Sequence, residues 1–185
     1  MKNLLRNITL VAISFLAFSC TNDQASKDLP STTIAKLVAV TPNLSSFSKA
    51  LEITGMTSML DGQGDYTVFA PTDNAFSVAL GGQTVEDFDA ANPGVLADIL
   101  KNHIVNSKLL TKNLTDGQVI TTSLGQTVQV SLAPNIYYPD YDVDLGDFEQ
   151  TSIFLNTNSR VYARDAKASN GTIDVIDTVL VPAGS

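Results

Sequence analysis

Two side chains occur once each in this chain and bound its chemistry: Cys20 and His103. A thiol nucleophile needs a base beside its sulfur, and zinc needs several nitrogen or sulfur ligands. With Cys20 in the N-terminal leader and His103 the only imidazole, the chain offers no Cys/His pair and no histidine pair. His103 also shares a helical stripe with Leu96, Ile99 and Leu100, which points it at the core as a hydrogen-bonded structural residue. No glycine pattern marks a phosphate loop, because Gly62 and Gly64 precede a strand instead of following one. A Ser-His-Asp set has no nucleophile elbow to locate it. Paired carboxylates are too plentiful to single out a glycosidase pair. These residues predict no catalytic site.

The densest chemistry lies in residues 134–150, Pro-Asn-Ile-Tyr-Tyr-Pro-Asp-Tyr-Asp-Val-Asp-Leu-Gly-Asp-Phe-Glu-Gln. Tyr137, Tyr138 and Tyr141 are three of the five tyrosines, and Asp140, Asp142, Asp144, Asp147 and Glu149 stand beside them with Phe148. Three readings follow. The segment is a solvated acidic extension whose rings cover the domain. Or it is a binding loop, because Tyr supplies amphipathic contact area at low entropic cost. Or Asp140, Asp142 and Asp144 hold calcium. The EF-hand pattern fails, since Gly146 falls one place late and Thr151 stands where the loop needs Glu. Only a looser calcium site is left, and no other cofactor is expected.

These residues need elements to hold them. Ile34, Leu37 and Val38 share one face of a first helix that stops before Pro42. Leu44, Phe47 and Leu51 predict a second, ended near Gly55. Met59 and Leu60 lead into the turn cluster 61–65, and then Tyr66-Thr67-Val68-Phe69-Ala70-Pro71 reads as a buried strand closed by proline. Thr72 or Asp73 can cap the helix that follows, Asn74 to Leu80. Asn92-Pro93 predicts the start of a helix carrying Val95, Leu96, Ile99, Leu100 and His103. The second half is β-rich, with strands expected over 118–122, 127–132, 152–155, 161–163 and 172–181. Helices first and strands later predict an α+β domain.

The run from Tyr66 to Phe76 resembles the first signature of the fasciclin domain, an extracellular adhesion and binding module. Asn170-Gly171-Thr172-Ile173-Asp174-Val175-Ile176-Asp177 resembles the second, and Leu100 to Val105 sits where the family has its middle helix and a Tyr-His pair. The resemblance implies a single domain over 32–182, a β-wedge sheet with several helices packed along it. It gives Phe69, Pro71, Thr72, Asp73, His103, Asn170 and Gly171 fold-supporting roles. Two departures matter. Asn102 replaces the family's Tyr, and Asp165-Ala166 replaces an integrin-type Asp-Ile, so neither role carries over. Position 174, often His in the family, is Asp here, and alternation with Ile173 and Val175 predicts that it faces solvent.

Residues 1–20 read as a targeting segment: Lys2 and Arg6, an apolar run from Ile8 to Phe18, then Ser19-Cys20. They resemble a bacterial lipoprotein signal in which Cys20 becomes the lipidated N-terminus, with residues 21–31 as a polar tether. Taking Lys2 and Arg6 from the 11 basic residues leaves 9 against 19 acidic ones. That excess argues against nucleic acid and anionic lipid surfaces as partners. The reading that results is a binding or adhesion module of a bacterial envelope, most simply an outer-membrane lipoprotein. Its partner would be an extracellular protein or glycan, held without covalent chemistry. The alternatives are a structural envelope lipoprotein and a polysaccharide-acting hydrolase.

Overall fold

The computed structural model describes residues 32–134 and 151–183. Helices α1 (Ile34–Val40), α2 (Ser45–Ile53) and α3 (Thr57–Asp61) lead into strand β1 (Tyr66–Pro71). Helices α4 (Asp73–Ala79), α5 (Val85–Ala91) and α6 (Val95–Asn102) come next, followed by the two-residue strand β2 (Ile104–Val105). Strands β3 (Val119–Thr121), β4 (Thr127–Pro134), β5 (Thr151–Leu155), β6 (Ser159–Ala168) and β7 (Gly171–Ile176) complete the order. The fold is α+β.

Local chemistry explains most boundaries. Thr41 ahead of Pro42 is extended, at ψ 122°, because proline's ring crowds a helical residue before it. Thr72 caps α4 by accepting from Ala75 N–H at 3.2 Å. The expected helix start at Asn92-Pro93 is wrong. The run before it is itself a helix, α5, capped by Thr84 and closed by Asn92, whose backbone and side-chain N–H groups both donate to Phe88 O. The next helix begins after Gly94, whose φ of 86° suits a residue without Cβ.

The strands form one sheet in the order β2-β1-β7-β6-β5-β4-β3. The β1–β7 pair is parallel, with Val68 opposite Ile173 and Phe69 opposite Asp174; the other pairs are antiparallel. Ser123 N–H donates to Ile104 O at 2.7 Å, so the two outer strands approach each other and the sheet is partly closed. Strand β6 runs well past the expected 161–163, and β7 ends at Ile176 instead of continuing to Val181.

Two cores result. Between the helices and one face of β1 and β7 lie Ile34, Phe47, Phe76, Leu96, Leu100 and Val68. Within the curled sheet lie Phe69, Val128, Val130, Leu155, Val161 and Ile176. Strand alternation on β1 thus sends Val68 to one core and Phe69 to the other.

Candidate functional site

The signature residues make contacts within the fold. Pro71 ends β1 opposite Ile176. Asp73 does not cap its own helix as one expectation allowed; its carboxylate accepts from Ser46 N–H at 2.7 Å and Ser45 Oγ–H at 2.8 Å, holding the start of α2. Burial alone would raise this carboxyl, but those hydrogen bonds outweigh it and leave the pKa below the ordinary 3.8. Asn170 accepts from Ile34 N–H at 2.9 Å and donates to Leu60 O and Gly62 O, both at 2.8 Å. One side chain therefore ties α1, α3 and β7 together. Gly171 has φ of 153°, and a Cβ there would lie 2.0 Å from Tyr66 O.

His103 is fully buried. Its Nδ1 lies 2.7 Å from Ile99 O and its Nε2 accepts from Leu180 N–H at 2.8 Å. Those partners require a proton on Nδ1 and none on Nε2, the neutral tautomer. Burial pushes its pKa down to about 4, against a smaller upward pull from Ile99 O. A ring with both nitrogens engaged inside the core has no free site for acid–base work. Beside it Asn102 is also buried, donating to Leu180 O at 2.8 Å and accepting from Thr122 Oγ1–H at 3.0 Å. This pair faces the interior and joins α6 to the end of the chain.

Asp174 contradicts its expected exposure: it is 1% exposed. Alternation itself holds, since Ile173 and Asp174 enter opposite faces, but β7 lies between β1 and β6 with a core on each side. Burial, with the nearby Asp165 charge adding to it, pushes its carboxyl up to about 7, although Asp165 N–H donates to it at 2.7 Å and Arg164 favours its charge. The sheet is irregular at this point. Ala163 pairs with Val175 and Ala166 with Ile173, so Arg164 and Asp165 together oppose Asp174 in a β-bulge. Asp165 adopts φ of 53° there and turns its carboxylate to Thr111, accepting from N–H at 2.9 Å and Oγ1–H at 2.5 Å. Arg164 donates to Thr151 O, the first residue of β5. The one sequence signal for this bulge is an Asp, tolerant of left-handed backbone, and it falls between the strands expected over 161–163 and 172–181.

The residues expected to form the contact loop, Tyr137, Tyr138, Asp140, Tyr141, Asp142, Asp144, Asp147 and Phe148, lie outside the described residues, as do Cys20 and the tether. What the fold does establish is the placement of the two ends of that segment. Pro134 pairs with Thr151, so 135–150 leaves and re-enters the sheet between adjacent antiparallel strands. Among the described residues no group of three or more His, Cys, Asp or Glu is placed to hold a metal. None of the described helices is long and apolar enough to cross a membrane.

A second surface was not foreseen. A groove of about 450 Å³ runs between α4 and the β5–β6 turn, lined by Ala75, Ala79, Asn156, Asn158, Asp177 and Val179 among others. Its residues come from distant segments, which is why no local pattern announced it.

A family model of the Fasciclin domain matches residues 42–182, and the chain belongs to that family. It is 30% identical to Stabilin-1 of Homo sapiens over 156 residues, 83% of this chain and 5% of that one. It is 26% identical to Transforming growth factor-beta-induced protein ig-h3 of Sus scrofa over 149 residues, 80% of this chain and 19% of the relative. With Protein sll1483 of Synechocystis sp. it shares 26% over 150 residues, 81% and 73% of the two chains. The chain thus spans only a small part of those two animal relatives. Among solved structures it resembles a FAS1 domain pair from the insect cell adhesion molecule Fasciclin I. The TM-score is 0.62 at 18% identity, covering 82% of this chain and 51% of that one. One domain matching about half of a pair agrees with the single-domain reading.

Proposed function

We propose that this chain is a non-covalent adhesion or binding module that recognises an extracellular protein or glycan at a bacterial cell envelope. The observation that carries this reading is the Fasciclin domain match over 42–182, a domain type also found in an insect cell adhesion molecule. The burial of His103 fits it, since the one imidazole is committed to the fold. In this reading the rigid sheet is a platform, and residues 135–150, rich in Tyr and Asp, are the contact segment that it presents between β4 and β5. The acyl group on Cys20 anchors the module, and residues 21–31 set its reach.

The test is binding of the chain to arrays of extracellular proteins and glycans, with and without calcium. A variant with residues 136–148 replaced by a short turn is run beside it. A hit lost in the folded variant supports the reading and its contact segment. A hit that also requires calcium assigns Asp140, Asp142 and Asp144 a metal. No hit in any arm rejects the reading in favour of a structural envelope lipoprotein. Anchoring is tested separately: Cys20→Ala should move the protein from the membrane fraction to the soluble one.

A further inference from the structure

The helices pack on β1, β2 and β7. The outer face of β6 meets solvent at Arg160 and Tyr162, both exposed. On β5, Ile153 and Leu155 enter the inner core, so Phe154 between them turns to that outer face, where it is half-buried opposite Arg160. Tyr162 is 53% exposed and sits at a second irregularity of β6. Its phenol is held above its ordinary pKa, first by partial burial and then by the charge of Asp177. Asp177 also accepts from Arg160 N–H at 2.8 Å. Asp177 lines a groove of about 450 Å³, a size within the range of small-molecule sites, and its N–H donates to Arg160 O at 3.2 Å, so Arg160 stands between Asp177 and Phe154 across the strands, with Tyr162 two residues further along β6.

The groove combines apolar and unspent polar groups. Val78 and Val181 are 74% and 56% exposed on its lining. The Oδ1 of Asn156 accepts from Gln129 N–H at 3.0 Å, which leaves its amide N–H groups for a ligand. One oxygen of Asp177 receives Arg160 N–H and Thr178 Oγ1–H, which leaves the other. Among the described residues the Asn158 side chain makes no hydrogen bond. Amide donors and a carboxylate acceptor within one groove suit groups that both donate and accept, which is what a sugar hydroxyl does. An anion would meet Asp177 in a chain of net charge −8, a cation would find a single carboxylate, and an apolar helix would desolvate that carboxylate without a partner.

We propose that this surface is a binding site for a neutral glycan. Sugar rings rest their C–H faces on Phe154 and Tyr162, and hydroxyls reach Asn156, Asn158 and Asp177 in the groove. The proposal deepens the reading of the chain as a non-covalent binding module and rests on it, but it places the contact away from residues 135–150.

The experiment is calorimetric titration of the full chain with cellohexaose, chitohexaose, laminarihexaose and mannohexaose. A galacturonic acid hexamer and a neutral Ser/Thr/Gly decapeptide serve as contrasts. At least one neutral hexasaccharide is expected to bind with Kd below about 1 mM. Val78→Arg, which fills the groove from an exposed helical position, and Asn158→Ala and Tyr162→Ala should each weaken it at least about tenfold. Their unfolding curves should match the parent, and the variant lacking 136–148 should bind normally. No hexasaccharide binding, binding of the decapeptide instead, or normal binding by Val78→Arg overturns the proposal. Glycan binding that survives the groove changes and vanishes with 136–148 also overturns it, and leaves the wider binding reading in place.

Discussion

Phe69 occupies the one position on β1 where an aromatic ring enters the curled sheet, packed among the inner-core aliphatic side chains and 1% exposed. Truncating it removes transfer free energy and leaves a void that the curled sheet collapses around only in part. Phe69→Ala should cost about 3–5 kcal/mol in a denaturant titration. A loss under about 1 kcal/mol would show that the ring is not a core residue. Gly171 is constrained by backbone. The methyl of Gly171→Ala would stand 2.0 Å from Tyr66 O, where the parallel β1–β7 pair begins, so the strands must separate for it to fit. Its cost should reach about 3 kcal/mol or more, and hydrogen exchange at Thr67 and Val68 should quicken before that of the helices. Unchanged protection there would mean that the strand pair tolerates the shift. Both residues were singled out from sequence, Phe69 for its strand pattern and Gly171 for the signature around it. The close approach that makes glycine necessary was not legible, because it depends on a strand about a hundred residues away.

At the scale of elements, joints are made by polar side chains that each serve a distant neighbour. Thr72 is local and caps α4, so Thr72→Ala should cost about 1 kcal/mol. Asn170 is not local. Replacing it with Ala strands Ile34 N–H, Leu60 O and Gly62 O together, so the loss should exceed that of Thr72→Ala at least twofold in chemical denaturation. Equal losses would show that water replaces Asn170 at this joint. The same division separates what the sequence revealed from what it hid. Helices with a clear apolar face, α1, α2, α4 and α6, were legible, as were β1 and most later strands. Helix α5 was not, because Glu86, Asp87 and Asp89 interrupt its apolar spacing and only Val85 of it is buried. Strand β2 was hidden because it is two residues long and follows α6 after the single residue His103. Asp174 was misplaced because alternation gives the side of a strand but not whether that side is covered. The groove beside α4 depends on the way the chain leaves β7 at Ile176, which β-branched residues up to Val181 concealed.

At the scale of the whole molecule, two buried titratable groups act in opposite directions on stability. Asp174 has its pKa raised by burial from 3.8 to about 7. A raised carboxyl stabilises the fold while protonated, fully below pH 3.8, and that stability is lost as pH rises through about 7. His103 has its pKa lowered by burial from 6.5 to about 4. A lowered imidazole stabilises the fold while neutral, fully above pH 6.5, and that stability is lost as pH falls through about 4. Between these limits each group alone would tilt stability by about 1.4 kcal/mol per pH unit, with opposite signs. Asp61 and Asp73 have lowered pKa values, so their losses fall below this window. The parent protein should therefore hold nearly constant stability from about pH 4.5 to 6.5, because the two slopes cancel. Asp174→Asn removes the falling slope and should leave stability rising with pH across that range. His103→Gln removes the rising one and should leave stability falling, whatever the loss at any single pH. Urea midpoints taken every half unit separate these cases, because the diagnostic quantity is a slope, and a general packing defect shifts midpoints without tilting them. Parallel, flat profiles in both variants would show that neither group is held neutral by the fold.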